Sequence, residues 1–172
     1  TDGNLFTEEP SESLDGWIGR FDREGRLVSG EQLDGTEDES FTRICALDDT
    51  DVIIAGYSSD GDGNIDGTLR QYDASHSELR MWRSNWAGSD AIYGLLCATD
   101  GQIIISGRLD LDEHSDGFRV YLDHSLREAE TVISGYPGRD EWVDLTETSG
   151  TICSAGYRSF DANQGINDLD AV

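Results

Sequence analysis

Val52-Ile53-Ile54-Ala55-Gly56-Tyr57 is the stretch that decides the fold, because the chain writes it three times. It returns as Ile103-Ile104-Ile105-Ser106-Gly107-Arg108 and as Thr151-Ile152-Cys153-Ser154-Ala155-Gly156-Tyr157. Three other landmarks keep the same phase. Asp15-Gly16-Trp17 recurs as Asp66-Gly67-Thr68 and Asp116-Gly117-Phe118. Phe21-Asp22 recurs as Tyr72-Asp73 and Leu122-Asp123, and a Gly-then-acid element recurs as Gly35…Asp38, Gly88…Asp90 and Gly138…Asp140. Four landmarks in step define a repeat of about 50 residues, a period that belongs to propellers and arrays.

Within one period, short apolar or alternating runs are separated by Gly, Asp, Asn and Ser, which are strand and turn signals. The spacing predicts strands at Phe41–Leu47, Asp51–Tyr57, Thr68–Tyr72 and Glu78–Trp82. No stretch carries a helical stripe, and only two prolines are present. Four short strands per period make one propeller blade. The expected fold is therefore all-β, a β-propeller or partial propeller of four-stranded antiparallel blades in a single region, residues 1–172. Blades are expected at about 38–84, 90–134 and 140–172, the last incomplete, with a partial blade at 1–33.

Asp15-Gly-Trp-Ile-x-Arg-Phe-Asp-x-x-Gly-x-Leu27, Gly35…Asp38 and Asp51-Val-Ile-Ile-Ala-Gly-Tyr-Ser-Ser59 together resemble the SBBP-type bacterial β-propeller repeat and its relatives of longer period. The resemblance implies that the strand after the Gly-x-x-Asp element is innermost and the Gly-Tyr strand second. Two positions depart from it: Arg108 stands where Tyr is usual, and His76-Ser77 replaces an Asp-Gly turn.

An open arc of blades leaves strand edges and apolar faces uncovered. The expected partner is therefore further propeller sequence or another copy of the chain.

Charge narrows the function classes. The 172 residues carry 36 acids against 12 cations, all Arg, for a formal charge of −24. Phosphate recognition needs a basic face, so nucleic-acid binding is not expected. Neither is attraction to an anionic membrane, and no apolar run reaches the roughly 18 residues of a membrane span. Mean hydropathy is −0.51, yet runs such as Ile103-Ile104-Ile105 argue for a packed core. So acidic a surface repels itself at low salt. It suits a saline setting or a calcium-rich extracellular or cell-surface one, and the fold is expected to gain stability from salt.

Asp60, Asp62, Asn64 and Asp66 alternate along one loop and form a candidate calcium site, since calcium takes six to eight oxygens. Tight Asp/Gly turns use the same residues. The matching loops offer Asp110, Asp112, Glu113 and Asp116, then Asp161, Asn163, Asn167 and Asp168. No nucleophile elbow, Walker loop or His-Glu-x-x-His is present, and His76, His114 and His124 read as solvated turn residues. Trp86, in Ser84-Asn85-Trp86-Ala87-Gly88, reads as an exposed aromatic able to bind a ligand, whereas Trp17 and Trp142 read as core. Cys45, Cys97 and Cys153 each lie in apolar surroundings and read as small buried hydrophobes. The reading is a non-catalytic scaffold for protein or glycan partners; the alternatives are a carbohydrate-active domain with a carboxylate site at the ring centre, or a self-assembling structural element.

Overall fold

A computed structural model describes residues 15–33, 38–59, 63–111, 114–135, 138–160 and 169–171. Among them the chain is all-β, without helix. Among the described residues, no helix is long and apolar enough to cross a membrane.

A leading hairpin comprises β1 (Gly16–Phe21) and β2 (Leu27–Leu33). A first antiparallel meander follows: β3 (Asp38–Ala46), β4 (Val52–Ser59), β5 (Ile65–Tyr72) and β6 (Glu78–Arg83). The second holds β7 (Ser89–Cys97), β8 (Ile103–Asp110), β9 (Ser115–Leu122) and β10 (Glu128–Ser134). The third group is β11 (Gly138–Thr148), β12 (Thr151–Phe160) and the short β13 (Leu169–Ala171). One parallel bridge, Arg139 to Ser115, joins β11 to β9 and merges the second and third groups into one sheet of seven strands. The sheets do not close on themselves.

The repeat is built into the backbone. The first strand of each group carries a bulge, between Phe41 and Arg43, Ile92 and Gly94, and Trp142 and Asp144. Facing it in the second strand stand Gly56, Gly107 and Gly156. A Cβ on any of these glycines would collide with a carbonyl oxygen of the bulged strand, that of Ser40, Ala91 or Glu141. Only glycine permits that approach.

The third strand turns into the fourth through an aspartate clasp. Asp22, Asp73 and Asp123 each accept two backbone N–H bonds on Oδ1, from residues two and four positions on. These bonds hold the Asp22 and Asp123 carboxyls below their ordinary range, and at Asp73 the Ser75 hydroxyl contributes most to the lowering, ahead of the Ser77 amide. The residue before the last amide is left-handed: Gly25, His76 or Leu126. His76 is buried rather than solvated, and its ring reaches the Ser29 hydroxyl at 3.4 Å.

Packing between groups follows one rule. The residue before each bulge lies over the glycine of the preceding Asp-Gly: Phe41 over Gly16, Ile92 over Gly67 and Trp142 over Gly117. β7 thus packs on β3, β4 and β5, and β11 on β7, β8 and β9. The larger core joins Ile53, Ala55 and Leu69 of the first group to Ile92, Ile103, Ile105 and Phe118 of the second. A smaller one joins Ile18 and Leu33 of the hairpin to Ile54 and Tyr72. The outer strands β2, β6 and β10 are mostly exposed.

All three cysteines depart from their expected role as small buried hydrophobes. Cys45 and Cys97 form a disulfide tying β3 to β7, with Cα atoms 6.0 Å apart. The stacking of one first strand beside the next brings them together, and a local sequence window cannot show it. Cys153 is exposed on β12.

Candidate functional site

Three acids occupy one repeat position, two residues before the residue that lies over glycine: Glu39, Asp90 and Asp140. All three are buried. In the first group the position belongs to Glu39, one residue beyond the expected Asp38, which is exposed. Each is solved differently. Glu39 is ion-paired with Arg70, which also reaches Glu78 at 3.2 Å and lies over the Phe41 ring. Asp140 has Arg158 Nε at 3.4 Å from Oδ1. Asp90 is 1% exposed, and among the described residues neither of its oxygens meets a hydrogen-bond donor in good geometry. Burial, reinforced by the charges of Asp66 and Asp110, pushes its carboxyl up to about 6, and the nearby Ser84 hydroxyl offsets part of that rise.

Beside Asp90 runs a polar network from the second group into the third. Arg108 donates to Asp110 at 2.8 Å and reaches Glu141 across the junction at 3.5 Å. Tyr157 donates its phenol O–H to Glu141 in a short hydrogen bond. Burial and the Glu141 carboxylate push the Tyr157 phenol up to about 12. Burial likewise raises Tyr93, which faces the same group. A small cavity of about 40 Å³ lies among Ser134, Asp140, Glu141, Trp142, Tyr157 and Arg158, room for roughly one water.

Chemically, this cluster is a set of carboxylates cross-braced by guanidinium and phenol groups. Its members come from the second strands (Arg108, Tyr157, Arg158), the first strands (Asp90, Tyr93, Asp140, Glu141) and the strand end at Asp110. Sequence patterns alone do not single out Glu141, Tyr93 or the role of Arg108. One signal does point there: Arg108 breaks the Tyr57/Tyr157 pattern, and the carboxylate that pairs it lies on the next repeat.

Of the four first-loop residues expected to bind calcium, Asn64 and Asp66 lie among the described residues. Asp60 and Asp62 lie outside the described residues, as do Asp112, Glu113, Asp161, Asn163, Asn167 and Asp168. Asn64 donates its amide N–H to Asp66 Oδ1 at 3.0 Å, and Arg83 Nε donates to Asp66 Oδ2 at 2.8 Å. Among the described residues, no group of three or more His, Cys, Asp or Glu is arranged to hold a metal ion. Trp86 is half-buried rather than exposed. Its ring sits edge-on between Trp82 at 6.3 Å and Phe118 at 4.8 Å, against the larger core. Trp17 is the more exposed tryptophan, its ring lying over Gly19 and Gly30. No family model matches this sequence, and no curated protein matches it either.

Proposed function

We propose that the chain is a non-catalytic β-propeller-type scaffold of the SBBP kind, extracellular or surface-associated, that presents its loops to protein or glycan partners. The observation that carries this reading is the use of the buried acids. Glu39, Asp140 and Glu141 are each tied to Arg or Tyr, which consumes charge to fix strands and junctions rather than to meet a substrate. Asp110 is likewise held by Arg108. The disulfide is compatible with an oxidising setting.

An enzyme reading has one point in its favour, since a carboxyl raised to about 6 suits a general acid. Asp90 is too enclosed for that role, at 1% exposure beneath Ser84 and β5. The test is a panel of polysaccharides and chromogenic glycosides read for released sugar, run beside a glycan-binding array. Binding without release is expected. Release that disappears in Asp90→Asn or Glu141→Gln, with the fold intact by circular dichroism, would establish the enzyme reading instead.

A further inference from the structure

One arginine ties together two groups that are not neighbours. In stacked repeats each unit touches only the next, and stability is a sum over units and adjacent pairs. The backbones of β3 and β11 obey that rule: they belong to different sheets, and each packs on β7. A side chain breaks it. Arg43 of β3 donates from Nη2 to the Val143 carbonyl of β11 at 3.4 Å, a partner 100 residues away in sequence. Its Nε stands 3.8 Å from Asp144 Oδ1.

The carbonyls involved all belong to bulges. Thr42, Tyr93 and Val143 are the extra residues where the register of the three first strands shifts, and an extra residue is left out of the ladder. Arg43 Nη1 donates to the Thr42 carbonyl at 3.0 Å while Nη2 donates to that of Val143, so one guanidinium bridges the bulges of the first and third groups. The rigid fork of guanidinium donors suits two carbonyls held on different strands. The middle bulge is taken by the preceding residue, whose Thr42 hydroxyl donates to the Ile92 carbonyl, beside Tyr93, at 3.3 Å. The middle group also contributes a gap. Arg43, Gly94 and Asp144 share one repeat position, the first after the bulge. A Cβ at Gly94 would lie 2.4 Å from the Ser106 hydroxyl oxygen and 3.2 Å from the Asp144 Cα, so β11 rests on bare backbone of β7 there. A side chain at 94 would force Ser106 to turn and β11 to give way. The Asp144 carboxylate is fixed in turn by the Leu145 amide at 2.9 Å.

We propose that Thr42-Arg43 is a strap across the three bulges, and that through it the first group directly holds the third in place. The second and third groups carry Tyr93-Gly94 and Val143-Asp144 at the same positions. The strap therefore runs one way, from the first group over Gly94 to the third, and its loss has a directional signature. The third group opens less readily than its junction with the second alone would allow. The strap goes beyond the scaffold reading and takes nothing from it, because it concerns how the groups are held and not what their loops meet.

Native-state hydrogen exchange on the 172-residue chain reads the strap strand by strand. Arg43→Met keeps the apolar stem and removes every donor. It is expected to speed exchange of the β11 and β12 amides about fivefold, the scale of one half-exposed, charge-assisted hydrogen bond. The change in β3 and β4 is expected to be smaller, although the substitution lies in β3. Thr42→Val removes only the bond to Ile92 and is expected to leave β11 and β12 unchanged. Gly94→Ala, which leaves Arg43 intact but displaces β11, is expected to reproduce the Arg43→Met pattern in β11 and β12. Unchanged β11 and β12 exchange in Arg43→Met, an increase confined to β3 and β4, or an equal increase in every strand would each overturn the proposal.

Discussion

The junction between the first and second groups and the junction between the second and third share one backbone design but hold together by different chemistry. At the first, Ile92 lies over Gly67, the larger apolar core fills the space, and the Cys45–Cys97 bridge ties the two first strands. At the second, Trp142 lies over Gly117 and donates its indole N–H to the Ser134 hydroxyl at 2.9 Å, Arg119 stands over the Trp142 ring, and Arg108, Glu141 and Tyr157 make the contacts across. Geometry is set by glycine and bulge, which leaves the side chains around them free to differ. One junction is an apolar core tied by a covalent bond, whereas the other is closed largely by polar contacts.

Breaking the covalent tie should give the largest effect. The disulfide spans 52 residues, for which the loss of chain entropy in the unfolded state amounts to about 4 kcal/mol. Cys45→Ala, or reduction, is expected to lower the stability in urea by about that much. A change near zero would mean that apolar packing alone sets the strength of the first junction.

Ile92→Ala comes next. The side chain is fully buried over Gly67, and its truncation is expected to cost about 3 kcal/mol. The unfolding midpoint in denaturant reads it directly. A cost below about 1 kcal/mol would show that the first junction can collapse into the gap, and would erase its contrast with the second.

The smallest effect, and the one of opposite sign, belongs to Asp90. Its carboxyl in the folded chain sits at about 6, above the ordinary 3.8. The folded state therefore binds more protons than the unfolded state between those values, and stability falls as pH rises through them. A pKa raised by one pH unit corresponds to about 1.4 kcal/mol, part of which relaxation of the surroundings recovers. Asp90→Asn is accordingly expected to raise stability by about 2 kcal/mol at pH 8 and to leave it nearly unchanged at pH 4. Denaturant unfolding of both proteins at the two pH values reads the difference. An equal effect at both would show that Asp90 acts by shape rather than by charge. Asn keeps the shape of the side chain and removes its charge from the buried site.

Local rules made the strands readable. The Ile-rich run, the Asp-Gly pairs and the apolar-Asp turns each report on their own few residues, so Val52–Ser59, Ile65–Tyr72 and Glu78–Arg83 fall close to where alternation and turn residues put them. Even the His76 turn, which lacks its usual glycine, keeps its shape, because the Asp73 carboxylate gathers the amides. What escaped depends on neighbours about 30 to 50 residues away in the sequence. The Cys45–Cys97 bond, the burial of Trp86 against Phe118 and the reach of Arg108 to Glu141 all arise from the stacking of one repeat on the next. The Glu39 position escaped for a smaller reason. Three residues separate Gly35 from the buried acid, against one between Gly88 and Asp90, and a spacing rule without the β3–β4 register cannot correct for the difference.

The glycine opposite each bulge has a consequence for how such a chain could grow. The bulged carbonyl and the glycine that tolerates it lie on different strands but form a single locus, so neither is viable in company with an ordinary partner. First and second strands must therefore be copied, shuffled or exchanged together, whereas a cut between the second and third strands separates nothing that depends on its exact mate. Any ancestral duplication of this module, and any engineered permutation of it, has its safe seam at that point.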